Sequence, residues 1–250
     1  RRIAHEIKNP LTPIQLSAER IRRRFGKVIV DDREIFDQCT DTIIRQVGDI
    51  GRMVDEFSSF ARMPKPEMKE VDLRDSLREA SFLLEVSRPD IVFSKDYGDE
   101  PLMGRFDSRL IAQAFGNIIK NATEAIDAVH DWPADQKKEV RVTARPDGEM
   151  YRIDVADNGK GLPRENRQRL LEPYMTTREK GTGLGLAIVK KIIEDHGGHL
   201  ELHDAPEDFC GGRGAMLSLF LPGEENPAKK RTAAEVPRPK DKTGKIEHGV

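Results

Sequence analysis

His5 is followed at once by Glu6 and, four residues on, by Asn9. An imidazole is neutral and nucleophilic at pH 7, since its ordinary pKa is about 6.5. A carboxylate beside it can take the proton released when one ring nitrogen attacks an electrophile. Three further groups of residues carry chemistry of another kind. Asn117 and Asn121 lie four apart with Lys120 between them, and a carboxamide oxygen is a hard ligand suited to Mg²⁺. Taken alone, the pair equally fits a solvated polar helix face. Asp157-Asn158-Gly159-Lys160-Gly161 follows a strand-like run, so a fixed aspartate and two glycines could accept the amine of a flat ligand brought close. A plain hairpin turn would use the same residues. Gly181-Thr182-Gly183-Leu184-Gly185-Leu186 opens a helix, and glycine-rich backbone at a helix N-terminus cradles phosphate. It is neither the dinucleotide fingerprint nor a Walker loop.

The elements that must position these residues follow from periodicity. Ile3, Ile7, Leu11, Ile14, Ala18, Ile21 and Phe25 recur at steps of three and four, predicting a helix over 1–27 with one apolar stripe. At about 100° per residue, His5 stands roughly 160° from the centre of that stripe, with Asn9 near it. Pro10 and Pro13 fall inside the helix, and Pro10 predicts a kink just after His5. A second stripe from Phe36 to Ala61 predicts a helix over 33–62, with Asp31 or Asp32 as its cap. Two such helices form a hairpin that buries little alone, so a homodimeric four-helix bundle is expected. Met63-Pro64-Lys65-Pro66 ends the hairpin and begins a linker over 64–69.

Residues 70–222 read as an α+β sandwich, one mixed sheet with helices on one face. Strands are expected near 71–73, 91–95, 102–106, 139–144, 151–156, 199–203 and 215–221. Helices are expected over 74–85, 108–129 and 183–196, the last closed by Gly197-Gly198. The glycine-bounded stretch 162–180 reads as a mobile segment over a ligand. From Gly223 the chain is proline- and lysine-rich without aromatics, which predicts a disordered tail.

Charged residues make up 34% of the chain and aromatics 6%, as suits long solvated helices beside a modest core. The net charge of −2 gives no footprint for nucleic acid. Residues 1–27 carry eight Lys/Arg against two Asp/Glu, either a solvated face or a docking surface for an acidic partner. Cys39 and Cys210 fit no metal or redox spacing and read as reduced structural thiols. No apolar run is long enough to span a bilayer. The expectation is a cytoplasmic, soluble piece of a longer protein whose anchor in the bacterial inner membrane lies upstream of Arg1.

In combination and in this order the motifs resemble the sensor histidine kinases of two-component systems. His5-Glu6-Ile7-Lys8-Asn9-Pro10 is similar to their H box, Asn117–Asn121 to the N box and Asp157–Gly161 to the G1 box. Leu171–Tyr174 resembles the F box, where phenylalanines are common, and Gly181–Leu186 the G2 box. The residues around His5 are most similar to the NtrY-type nitrogen-regulation sensors. The resemblance implies a dimerisation and phosphotransfer hairpin over 1–63, followed by a Bergerat-type ATP-binding domain. It implies ATP-dependent phosphorylation of His5, with Glu6 as acid/base, and transfer to an aspartate on an NtrX-like response-regulator receiver domain. Asn9 would orient water for dephosphorylating that regulator. ATP would be held by Asn117, Lys120, Asn121, Asp157, Gly159, Gly161, Thr177, Arg178, Gly181, Thr182, Gly183, Leu184 and Gly185, with Mg²⁺ on Asn121. A degenerate ATP-binding scaffold without kinase activity is the alternative, and intact His5, Glu6, Asn121 and Asp157 speak against it.

Overall fold

The structure, a computed structural model, describes residues 2–60, 63–133, 135–175 and 182–223, without the side chains of 2–5 and 59. The expected tail therefore lies outside the described residues from 224 onward.

Helix α1, Arg2–Phe25, stays a single helix through Pro10 and Pro13. Gly26 ends it, donating its N–H to the Arg22 carbonyl at 3.0 Å. A Cβ at Gly26 would lie 2.5 Å from that same oxygen, so only glycine fits there. Helix α2, Arg33–Phe60, begins after Asp32, which holds a left-handed φ of 56°. The Asp32 carbonyl accepts the first helical bond, from Phe36 N–H at 3.0 Å. The two helices run antiparallel, in a register marked by ion pairs Lys8–Asp55 and Arg22–Asp41.

Among the described residues of the two apolar stripes, only Ala18, Val47 and Val54 are buried. Ile7, Ile14, Ile21, Ile43, Ile50 and Phe57 each remain 41–47% exposed. A two-helix seam has one layer of contacts, so its outward half stays wet until something covers it.

The second unit is built on a five-stranded sheet of order β2-β4-β5-β7-β6. Its strands are β2 Val92–Asp96, β4 Glu139–Asp147, β5 Met150–Asp157, β6 His199–Asp204 and β7 Ala215–Pro222. β2 lies parallel to β4, and the other neighbours are antiparallel, so the sheet is mixed as expected. The strands β1, Lys69–Asp72, and β3, Met103–Phe106, form a separate two-stranded sheet. Sequence periodicity did not foresee this division, because pairing between distant strands has no local signal.

Helices α3, Leu73–Ser87, α4, Ser108–Asp127, and α5, Gly185–Asp195, pack in that order. Phe106, Phe115, Leu77, Ile119, Ile153 and Leu219 are fully buried in the resulting core. Each such side chain contributes about 1.5–3 kcal/mol by leaving water. The α4 N-cap, Asp107, accepts backbone N–H bonds from Arg109 at 3.1 Å, Leu110 at 3.3 Å and Glu67 at 2.9 Å. Burial alone would raise that carboxyl, but these N–H donors and Arg109 outweigh it and hold it below its ordinary 3.8. His196 closes α5: its Nδ1 meets the Ile192 carbonyl at 2.7 Å, and its Nε2 accepts the Asp107 N–H at 3.0 Å. That second bond sets the neutral tautomer with the proton on Nδ1. One buried aspartate thus ties the linker, α4 and the end of α5 together. Among the described residues, no helix is long and apolar enough to cross a membrane.

Candidate functional site

Asp157 is the last residue of β5 and is 3% exposed. Its Oδ1 accepts the Gly159 N–H at 2.9 Å, which fixes the carboxylate at the start of the turn. The turn is pressed against α4: Lys160 N–H donates to the Ala125 carbonyl at 3.0 Å. A Cβ at Gly159 would lie 2.4 Å from the Ala125 carbonyl carbon, so the glycine is required by proximity. Gly161 has a φ of 78°, which favours glycine. Asn158 is fully buried and braces the turn from behind, accepting from Glu139 N–H at 2.9 Å and donating to the Lys137 carbonyl at 2.8 Å.

One and two turns earlier on α4, Asn121 and Asn117 share a half-buried face, while Lys120 is exposed beside Glu124 at 3.9 Å. An ideal Cβ on Gly185 would sit 3.8 Å from Asn121 Nδ2 and 3.9 Å from its Oδ1. The Asn121 carboxamide therefore abuts the first residue of α5. Leu184 precedes that residue and is fully buried, which anchors the helix start in the core. Gly183 holds a φ of 70°. A buried carboxylate whose turn packs on Ala125, a carboxamide one turn away on α4 and a glycine-flanked helix N-terminus abutting it are thus gathered along α4. This arrangement suits a purine, a divalent cation and a run of phosphates.

Thr177, Arg178 and Gly181 lie outside the described residues. Either side of them, Tyr174 N–H donates to the Gly183 carbonyl at 3.1 Å, so residues 174 and 183 close on one another. Leu171, in the expected F box, is buried, whereas Tyr174 is 53% exposed. The Tyr174 ring stacks on Phe57 of α2, with centroids 6.3 Å apart, and Thr182 Oγ1–H donates to Glu56 Oε2. Neither α2 residue stood out in the sequence. Phe57 read as one more member of the apolar stripe, and nothing about Glu56 distinguishes it from any exposed glutamate.

Glu6 and Asn9 are exposed on α1, and the backbone of His5 lies in the same helix; its side chain is outside the described set. The ion pair Lys8–Asp55 puts the Glu56–Thr182 contact at nearly the height of the His5 turn. The α2 contact thus brings the segment before α5 to the level of the turn that bears His5.

Comparison with known proteins agrees with this geometry. Residues 1–66 match the His Kinase A (phospho-acceptor) domain, and 106–225 the Histidine kinase-, DNA gyrase B-, and HSP90-like ATPase domain. The chain is 60% identical over 237 residues to nitrogen regulation protein NtrY of Azorhizobium caulinodans, covering 94% of this chain and 30% of that protein. It is 32% identical to the sensory histidine kinase/phosphatase NtrB of Rhodobacter capsulatus, over 82% of this chain and 57% of that one. Among solved structures it resembles histidine kinase ThkA in complex with response regulator TrrA, at TM-score 0.61 and 25% identity, over 91% of this chain and 61% of that one. It also resembles the mycobacterial sensor histidine kinase MprB, at TM-score 0.53 and 26% identity, over 62% of this chain and 97% of that one. The chain spans about a third of the length of its NtrY relatives. With both domains present in this order and most of its length aligned to NtrY, the chain belongs to the sensor histidine kinases, in the NtrY type.

Proposed function

We propose that this chain is the kinase core of a sensor that phosphorylates its own His5 from ATP and passes the group to an aspartate on a response-regulator receiver domain. The observation that carries the reading is the placement of the Asp157 turn, Asn121 and the α5 N-terminus along one stretch of α4, in a chain whose hairpin bears His5. The hairpin is taken as 1–63, the linker as 64–69, the ATP-binding domain as 70–222 and the tail as 223–250. The half-exposed stripes of α1 and α2 are covered by a second copy, giving a homodimeric bundle.

The geometry supports the roles of the described residues, and the family resemblance supplies the rest. Asp157 accepts the adenine amine, while Gly159 and Gly161 let the ring approach. Asn117 and Lys120 lie beside the phosphates with Thr182 to Gly185, and by family resemblance Thr177, Arg178 and Gly181, outside the described residues, also bind the nucleotide, Arg178 as the cation. Asn121 is the protein ligand for Mg²⁺. Among the described residues no group of three His, Cys, Asp or Glu side chains could hold a metal. The cation therefore depends on the nucleotide's own phosphates, and when bound it neutralises their charge.

A neutral ring nitrogen of His5 attacks the γ-phosphorus. An N–P bond forms, the bond to the bridging oxygen breaks, and ADP leaves with that electron pair. The proton on the other ring nitrogen passes to Glu6. Asn9, exposed one turn on, orients water against a phosphorylated regulator, which makes the core a phosphatase as well. The Rhodobacter relative, a kinase/phosphatase by name, supports that second activity. The receiver is NtrX-like by kinship with NtrY, and the parent protein is held at the bacterial inner membrane by segments upstream of Arg1. His5→Gln tests the core of the reading. It abolishes acid-labile, base-stable labelling by γ-labelled ATP while ATP still binds; label persisting in the mutant overturns it.

A further inference from the structure

The hairpin contributes a side chain to the phosphate end of the ATP site. Glu56, on α2, accepts the hydroxyl proton of Thr182, and the Thr182 Oγ1 accepts the Leu184 N–H at 3.4 Å. Leu184 is the N-cap of α5, and its N–H belongs to the donors a helix start offers to an anion. A relay therefore runs from the α5 cap through a hydroxyl to a carboxylate on another domain. The carboxylate holds the negative charge that this end of α5 attracts. Phe57, the next residue, stacks on Tyr174, which is itself bonded to Gly183. Two adjacent α2 residues thus engage both sides of the same short segment.

We propose that Glu56 is a positioning residue that opposes ATP. Its carboxylate claims Thr182 and sets a negative charge where the triphosphate must come, so docking on this part of α2 and nucleotide binding compete. The inference rests on ATP occupying the site as proposed above. ATP occupancy then releases the second unit from α2, and the hairpin, by presenting or withdrawing Glu56, sets the ATP affinity. A signal that shifts α2 along its axis thereby reaches the nucleotide site without touching a catalytic group.

The test is Mg–ATP titration of the whole chain, by calorimetry, for wild type, Glu56→Gln, Glu56→Asp and Asp55→Asn. Glu56→Gln keeps an oxygen for Thr182 but removes the charge. Between groups about 4 Å apart with water between and around them, that loss is expected to tighten ATP roughly three- to tenfold at low salt. The gain shrinks toward nothing at about 0.5 M salt, because the interaction is screened. Glu56→Asp restores wild-type affinity. Asp55→Asn, which removes a neighbouring charge paired to Lys8, leaves it unchanged. A damaged fold weakens binding, so a salt-sensitive gain is not a structural artefact. Equal or weaker ATP binding by Glu56→Gln, or an equal gain in Asp55→Asn, overturns the proposal. Absence of ATP binding by the wild type would instead overturn the ATP-site reading itself.

Discussion

Gly159→Ala tests whether the Asp157 turn is held by α4. An added Cβ would stand 2.4 Å from the Ala125 carbonyl carbon and 2.5 Å from its oxygen, whereas ordinary contact starts at 3.4 Å. About 1 Å of movement is needed, and the α4 backbone cannot supply it without breaking helical bonds. The turn must lift instead. Overpacking of this kind costs about 1–3 kcal/mol, and losing the Lys160–Ala125 backbone bond adds about 1 kcal/mol. For a domain near 150 residues, about 2–4 °C of melting temperature is lost per kcal/mol. The expected fall is therefore roughly 4–16 °C. As the turn lifts, the Gly159 N–H leaves the Asp157 carboxylate, which swings away from the adenine amine. Loss of a charge-assisted bond weakens ATP by about 1.5–3 kcal/mol, or roughly 10- to 150-fold. Calorimetric melting and ATP titration of the same sample read both effects. A variant with wild-type melting and affinity would show that α4 does not hold this turn and that Asp157 does not depend on it.

Further outcomes follow from other parts of the molecule. The Asp107 carboxyl is held below its ordinary value, so its stabilising contribution is complete above about pH 3.8 and is lost as pH falls through the depressed value. Asp107→Asn should lower the urea midpoint at pH 7 and flatten its decline between pH 5 and pH 2. Ile43 is 44% exposed on the open seam, and Ile43→Asp should weaken the dimer by roughly 100-fold or more in sedimentation, since a buried unpaired charge costs several kcal/mol. Asn9→Ala should leave labelling of His5 intact while slowing removal of phosphate from the regulator by roughly tenfold or more, measured on purified phospho-regulator. Equal loss of both activities would remove the separate role given to Asn9.

The two helical stripes and the glycine-rich turns were legible in the chain because each has a local cause, and the reaction class followed from the resemblance of these motifs, in this order, to the sensor histidine kinases. An apolar stripe with steps of three and four reads as a helix face, and it predicts that His5 stands away from the seam with Asn9, which is exposed. Asp157 at a strand end followed by glycines, and Gly197-Gly198 after α5, are read from neighbours in sequence. Other features have no local cause. The parallel pairing of β2 with β4 and the separate β1–β3 sheet depend on which strands meet after long connections. The burial that decides this is shared by the whole core. His196 reaches Asp107 across 89 residues, and Thr182 reaches Glu56 across 126. Nothing near a lone histidine or a lone glutamate announces such a partner, because the hydrogen bond exists only once packing has set both groups within reach. The chemistry was therefore written in residue types and spacing. Which groups support the Asp157 turn, and which side chain of the hairpin meets the segment before α5, were decided by tertiary contacts alone.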